Sequence, residues 1–259
     1  MSKKTGQALP LVVSWDESRP LPRRSIRGPV QALAPGMQAE PWHDSGPVDQ
    51  PFDFCGRMRE LCVDVVKRCN ELGHIDLSKV LIAVTQARRF RSRGLQARVT
   101  PMRFHGGELT RRRRGVTYQV QRFFVDGREI LYIVAFCLPR FLDLDFDEKF
   151  ITLFHELYHI SPYFDGDLRR HGGRYSVHSH SQKAYDQHMA ELAREYLAQK
   201  PDARLHAFMR LNFAQLRCRH GSVVGTVVPR PKLIPIAIGN RPLVVSQGNE
   251  ETDHRDAAR

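Results

Sequence analysis

Two histidines four residues apart, in the pentapeptide His155-Glu156-Leu157-Tyr158-His159, restrict how this chain can fold. Around them, apolar residues recur every three or four positions, which predicts a helix from about Phe146 to Ile160. The residues expected to face the core are Phe146, Phe150, Leu153, Phe154, Leu157 and Ile160. Residues four apart lie one above the other on a helix, so both imidazoles can turn a nitrogen toward the same point.

The same pentapeptide has the H-E-x-x-H pattern, in which two histidines bind a zinc ion and the glutamate acts on water. His155 and His159 are therefore predicted as metal ligands, with Zn²⁺ as the cofactor. Glu156 is predicted as the general base that takes a proton from a metal-activated water. A purely structural zinc site is disfavoured, because a closed site gives Glu156 no role.

A catalytic zinc site needs a third protein ligand, and several residues downstream could supply it. His171 is the first choice, because Gly172 follows it and permits a close approach of the backbone. His178 and His180 are the alternatives. Acids on the next predicted helix are further candidates, namely Asp186, Glu191 and Glu195.

Other polar residues near the motif are candidates for supporting roles. Tyr175 or Tyr185 could donate a hydrogen bond to the oxyanion of a tetrahedral intermediate. Asp165 and Asp167 could orient a ligand imidazole, because a metal-bound histidine usually donates its second ring nitrogen to a carboxylate or a carbonyl.

Two stretches of the sequence resemble a family of zincin-like metallopeptidases found in bacteria, phages and archaea. They are Leu-Phe-His-Glu-Leu-Tyr-His-Ile at 153–160 and Phe-Asp-Gly-Asp-Leu-Arg-Arg-His-Gly at 164–172, within a likeness over about residues 50–200. The resemblance implies a zinc site at His155 and His159 with Glu156 as catalytic base, and a protein or peptide substrate. The H-G-x-x-Y stretch that begins at His171 is also similar to SprT-like proteases, which act on proteins at DNA. Their zinc ribbon has no counterpart, because Cys218 is the only cysteine near the C-terminus.

The expected fold class is α+β. We expect a zincin-like core with a small, mostly antiparallel sheet packed on an N-terminal helix and on the H-E-x-x-H helix. The periodicity predicts helices over 52–72 and 182–199, a strand over 79–85, and a hairpin of strands 116–125 and 128–137 with its turn at Asp126-Gly127. The predicted domains are a disordered arm (1–50), the metallopeptidase domain (51–200), a basic extension with short strands (201–248) and a disordered tail (249–259).

Arginine is concentrated in one segment of a chain whose net charge is +12. Residues 86–128 hold twelve arginines and only two acids. Guanidinium groups pair well with phosphate, so a second candidate function is DNA binding with limited or no proteolysis; the alternative is a solvated basic face. The candidate nucleic-acid-binding residues are Arg88, Arg89, Arg91, Arg93, Arg111, Arg112, Arg113 and Arg114.

The sequence also predicts where the protein acts. It contains no apolar run of about 18 residues, so we expect no membrane-spanning segment. The five cysteines are an odd number and include no C-x-x-C pair, which argues against a disulfide framework and against a zinc ribbon. We therefore expect a cytoplasmic protein.

Overall fold

The computed structural model describes residues 50–87, 94–170 and 182–239, together with the strands at 11–16, 19–25, 42–43, 46–47 and 241–242. The first four of these strands lie in the region for which the sequence predicts a disordered arm. Within the described ranges, no helix combines the length and the apolar character that a membrane span requires.

The helices confirm the predicted α content and extend it. They are α1 (Phe54–Arg68), α2 (Phe146–Tyr158), α3 (Gln182–Ala198), α4 (Ala203–His206) and α5 (Phe213–His220). The helices α4 and α5 lie in the extension for which the sequence predicts only short strands. Asn212 and Gln215 form a capping box at the start of α5, and the helix ends at Gly221, whose φ is 70°. This capping favours a helix at α5, where the glycines and prolines of the extension predict only short strands.

Short strands make up the remaining regular structure. In chain order they are β1 (Leu11–Asp16), β2 (Arg19–Ser25), β3 (Trp42–His43), β4 (Gly46–Pro47), β5 (Phe52–Asp53), β6 (Val80–Gln86), β7 (Ala97–Pro101), β8 (Thr110–Arg113), β9 (Val116–Val120), β10 (Phe124–Val125), β11 (Arg128–Glu129), β12 (Tyr132–Leu138), β13 (Ser222–Val227), β14 (Leu233–Ile238) and β15 (Arg241–Pro242).

The central sheet has the order β6-β12-β7, with β12 parallel to β6 and antiparallel to β7. The predicted hairpin is only partly present: β10 and β11 pair across Asp126-Gly127, but β9 and β12 belong to different sheets. All seven residues of β12 are buried, as expected of a central strand covered on both faces. Such a strand cannot also be one arm of an isolated hairpin.

Helices cover one face of the central sheet and form the main core. Phe54 of α1 lies 5.6 Å, ring centre to ring centre, from Phe136 of β12, and Phe150 of α2 lies 6.0 Å from Tyr196 of α3. Alternate residues of β6 and β12 point the other way, where Ala83, Ile133 and Ala135 join a second apolar cluster. The mixed α+β class is thus confirmed, and α2 is fixed to the sheet by its apolar side.

An ion-pair cluster ties the β10–β11 hairpin to the end of β7. The Glu129 carboxylate binds Arg122 and lies 2.7 Å from a guanidinium nitrogen of Arg103. Arg122 first, and then Arg103, lower the pKa of Glu129 from 4.5 to about 2. A depressed carboxyl pKa stabilises the fold above the unfolded-state value and loses that contribution as the pH falls toward the folded-state value.

Glu129→Gln is therefore expected to lower the free energy of unfolding by about 1 kcal/mol at pH 7, since the cluster is partly exposed. The difference from the wild type should shrink between pH 4.5 and pH 2, where Glu129 becomes protonated. Urea denaturation at pH 7 and pH 3 measures both values. Glu60→Gln, which alters an exposed pair with Arg57, is the control. An equal loss at both pH values would show that the charge of Glu129 is not the cause.

Candidate metal centre

Helix α2 presents its apolar side to the core and the His155 side chain to a cleft. Leu153, Phe154 and Leu157 are fully buried, whereas the His155 side chain is 21% exposed and His159 is 8% exposed. Asp147 and Glu148 lie in the first turn, where their negative charges stabilise the helix by interacting with the positive end of its dipole. The amphipathic pattern thus sets both the packing of α2 and the direction of its two imidazoles.

The two imidazoles converge through the same ring nitrogen. Nε2 of His155 and Nε2 of His159 are 2.9 Å apart, and the ring planes are at 83°. Two ligands of a tetrahedral zinc ion, each about 2.0–2.1 Å from it, would be about 3.3 Å apart. A small rotation of either ring would give that separation, so the pair fits zinc.

Glu156 is buried beside this pair and is bound to the central sheet. Glu156 is 7% exposed, and its carboxylate accepts a hydrogen bond from the backbone N–H of Val99 in β7. Burial raises the pKa of Glu156 from 4.5 to about 7, and the Val99 N–H opposes that shift. One carboxylate oxygen can take the Val99 bond while the other remains able to accept a proton.

Helix α3 supplies two further side chains to the site. The Tyr185 ring lies 4.9 Å from the His155 ring and stacks on the His159 ring at 5.9 Å. Burial raises the pKa of the Tyr185 hydroxyl, which therefore stays protonated. Asp186 Oδ1 lies 3.8 Å from Nδ1 of His155, the nitrogen opposite the convergent one. Of the two tyrosines predicted near the reaction, Tyr185 is thus at the site.

A cleft with a volume of about 480 Å³ opens beside these residues. One wall is the side of α2 that carries Glu148, Thr152 and Glu156, and the other is the segment 94–97, whose last residue begins β7. Among the described strands, β7 pairs with β12 alone and forms one edge of the central sheet, so the cleft brings the candidate base next to a strand edge.

No family model, curated protein or solved structure matches this chain. The family resemblance of the H-E-x-x-H region therefore remains an expectation.

The chain after α2 turns back along the helix end. The N–H of Arg169 donates to the carbonyl of His159 at 2.7 Å, and the Arg169 guanidinium lies 3.9 Å from the centre of the Tyr158 ring. The Asp167 carboxylate, predicted to orient an imidazole, binds Arg170 and the N–H of Gly106. This segment thus begins the connection to α3 directly beside the histidine pair.

The structure describes only some of the residues that are predicted as the third metal ligand. His171, His178 and His180 lie outside the described residues, as does Tyr175. Among the residues that the structure describes, no group of three or more metal-ligating side chains is present. Glu191 is exposed and accepts a hydrogen bond from Gln187, and Glu195 is exposed on the same helix. The third ligand therefore remains a prediction, with His171 first.

Sequence reasoning missed the contribution of β7 to the site. The Val99 N–H that binds Glu156 is a backbone group, and its position depends on the pairing of β7 with β12, which no short motif specifies.

The candidate nucleic-acid-binding arginines lie partly inside and partly outside the described part of the chain. Arg88, Arg89, Arg91 and Arg93 lie outside the described residues, whereas Arg111 to Arg114 are exposed.

Proposed function

We propose that this protein is a zinc-dependent peptidase. The observation that carries the proposal is the convergence of the His155 and His159 Nε2 atoms, 2.9 Å apart, next to a buried glutamate on the same helix. His155, His159 and, as third ligand, His171 would hold the ion, with His178 or His180 as alternatives. When bound, zinc supplies Lewis-acid polarisation of the scissile carbonyl and of the attacking water.

The residues of the chain divide the remaining work of peptide hydrolysis. Glu156 accepts the proton of the attacking water and returns it to the leaving amine. The Val99 N–H holds the Glu156 carboxylate in place, and Asp186 lies where it can fix the His155 ring through Nδ1. Tyr185, with its hydroxyl protonated, is the candidate donor to the oxyanion.

An extended peptide fits the cleft because, among the described strands, β7 pairs with β12 alone. Ala97 lies opposite Phe136, and the neighbouring bond runs from the Cys137 N–H to the carbonyl of Gln96 at 2.8 Å. In an antiparallel pair this pattern turns the N–H and C=O of Ala97 away from β12, toward the cleft. A substrate strand that pairs there would lie beside Glu156. The proposed substrate class is therefore an unfolded or extended polypeptide.

Metal analysis of the purified full chain tests the metal site. We expect about one zinc per chain in the wild type and loss of most of it in His155→Ala and in His159→Ala, because each removes a ligand. His105→Ala, which changes an exposed histidine that is given no part in the metal site, is the control and should retain zinc. Less than about one zinc per two chains, unchanged by the two site substitutions, would contradict the proposal.

Nucleic-acid binding is the second candidate function, and the two functions are compatible. The observation that favours it is the exposure of all four arginines from Arg111 to Arg114 on one hairpin. On this proposal, DNA brings the peptidase to its target, or is the main partner of a zinc protein that cuts little.

A further inference from the structure

A four-stranded sheet of order β15-β14-β9-β8 projects from the fold. Its strands contact one another far more than they contact the rest of the described chain. At its base, the buried Val120 packs into the second apolar cluster. At its tip, Arg114 and Gly115 have φ of 49° and 78°, as a tight two-residue turn between β8 and β9 requires.

The strand period sorts the arginines of β8 onto opposite faces. Arg111 lies opposite Tyr118, which lies opposite Pro235, so these three side chains share one face. Arg112 lies opposite Thr117 on the other face. We call the first surface, apart from the buried Val120 at its base, the tyrosine face; its members are Arg111, Arg113, Val116, Tyr118, Leu233, Pro235 and Ile238.

The tyrosine face is open and carries only positive charge. Leu233 is 57% exposed and Ile238 is 55% exposed, and both arginines of the face are exposed. The strands β8, β9 and β14 contain no acidic residue. An aromatic ring thus lies between guanidinium groups on one side and aliphatic side chains on the other.

This combination fits single-stranded better than duplex nucleic acid. A base can stack on a tyrosine only when it is not stacked within a duplex, and the flanking arginines can then bind the phosphates. A sheet face with bulky aliphatic side chains presents no element that could enter the major groove of a duplex and form hydrogen bonds to the edges of its base pairs. Arg112 lies on the opposite face of the sheet, where its cross-strand neighbour is Thr117 and not an aromatic residue.

The aliphatic members favour DNA over RNA. Proteins distinguish RNA through hydrogen bonds to its 2′-hydroxyl groups. Apart from Tyr118 and the arginines, the tyrosine face consists of valine, leucine, proline and isoleucine, which pack against deoxyribose but donate nothing to a hydroxyl. Threonine and glutamine lie on the opposite face, as Thr110, Thr117 and Gln119.

We propose that the tyrosine face binds single-stranded DNA, with a base stacked on Tyr118 and the phosphate backbone held by Arg111 and Arg113. This inference rests on nucleic-acid binding, the second candidate function, and names its partner and its surface. It does not depend on the zinc site.

Fluorescence anisotropy with the full chain tests the proposal, using labelled oligo-dT of 20 nucleotides, a duplex of the same length and an RNA of the same length. We expect the dT strand to bind most tightly. Tyr118→Leu should weaken that binding about tenfold, because a stacked base contributes about 1–3 kcal/mol, and Tyr118→Phe should retain it. Arg111→Gln and Arg113→Gln should each weaken it and reduce the salt dependence by about 0.7 in slope.

Arg112→Gln is the matched control, because it removes the same charge from the same strand on the opposite face. It should weaken binding much less than Arg111→Gln does. Equal losses from both substitutions would overturn the assignment to the tyrosine face. Preferred binding of the duplex or the RNA would overturn the choice of partner while leaving nucleic-acid binding intact. Binding to none of the three would overturn both, and zinc content, measured separately, would be unaffected.

Discussion

Glu156→Gln is expected to reduce kcat/KM for peptide hydrolysis by about 10²–10⁴-fold, the usual contribution of a general base. Glutamine has the same shape as glutamate, and its carbonyl oxygen can still accept the hydrogen bond from the Val99 N–H. What disappears is the ability to take a proton. The fold and the positions of His155 and His159 should therefore persist, and zinc content should equal that of the wild type.

The measurement is the hydrolysis of an unfolded, fluorescence-quenched protein by the zinc-loaded full chain, with metal content determined on the same sample. Glu148→Gln is the control, because Glu148 lines the same cleft two helical turns earlier on α2 and is given no part in proton transfer. Wild-type activity in Glu156→Gln would assign the base to another residue. Loss of zinc together with activity would show that Glu156 holds the site together instead.

The part of the site that the sequence predicts is the part that lies within one helix. The spacing of His155 and His159, and the apolar residues around them, are local, so the helical period alone places both rings on one side of α2. The observed helix covers Phe146–Tyr158, against a predicted end at Ile160. That period brings the two rings together, and in the structure their Nε2 atoms lie 2.9 Å apart.

The parts that the sequence does not predict depend on contacts between distant segments. Parallel pairing of β12 with β6 joins residues about fifty positions apart, and no turn signal marks it. The strong Asp126-Gly127 turn correctly predicts a hairpin but not its length, because β12 pairs elsewhere after the two-residue β11. Val99 reaches Glu156 only through this arrangement, so its role could not be inferred from a motif.

Substitutions at Gly225 test another distant contact, the one between β13 and β6. A Cβ atom at Gly225 would lie 2.7 Å and 2.8 Å from the two methyl carbons of Val84, which is fully buried. Such close approach requires one strand to shift. Gly225→Ala is therefore expected to lower the free energy of unfolding by about 2 kcal/mol, a typical cost of overpacking. Gly73→Ala is the control, because its Cβ would meet nothing closer than 3.5 Å.

A double-mutant cycle with Val84→Ala separates this clash from other effects of removing a glycine. Val84→Ala alone leaves a cavity and should cost about 2 kcal/mol. In the double variant the new methyl group of residue 225 enters the space that the valine methyls vacate. The combined loss should then be smaller than the sum of the single losses by about 1–2 kcal/mol, as expected of residues in contact. Urea denaturation of the four proteins, with equal m-values, gives these differences. Strict additivity would mean that β13 does not cross β6 at Gly225, and the C-terminal strand would then have to pack elsewhere on the sheet that positions Glu156.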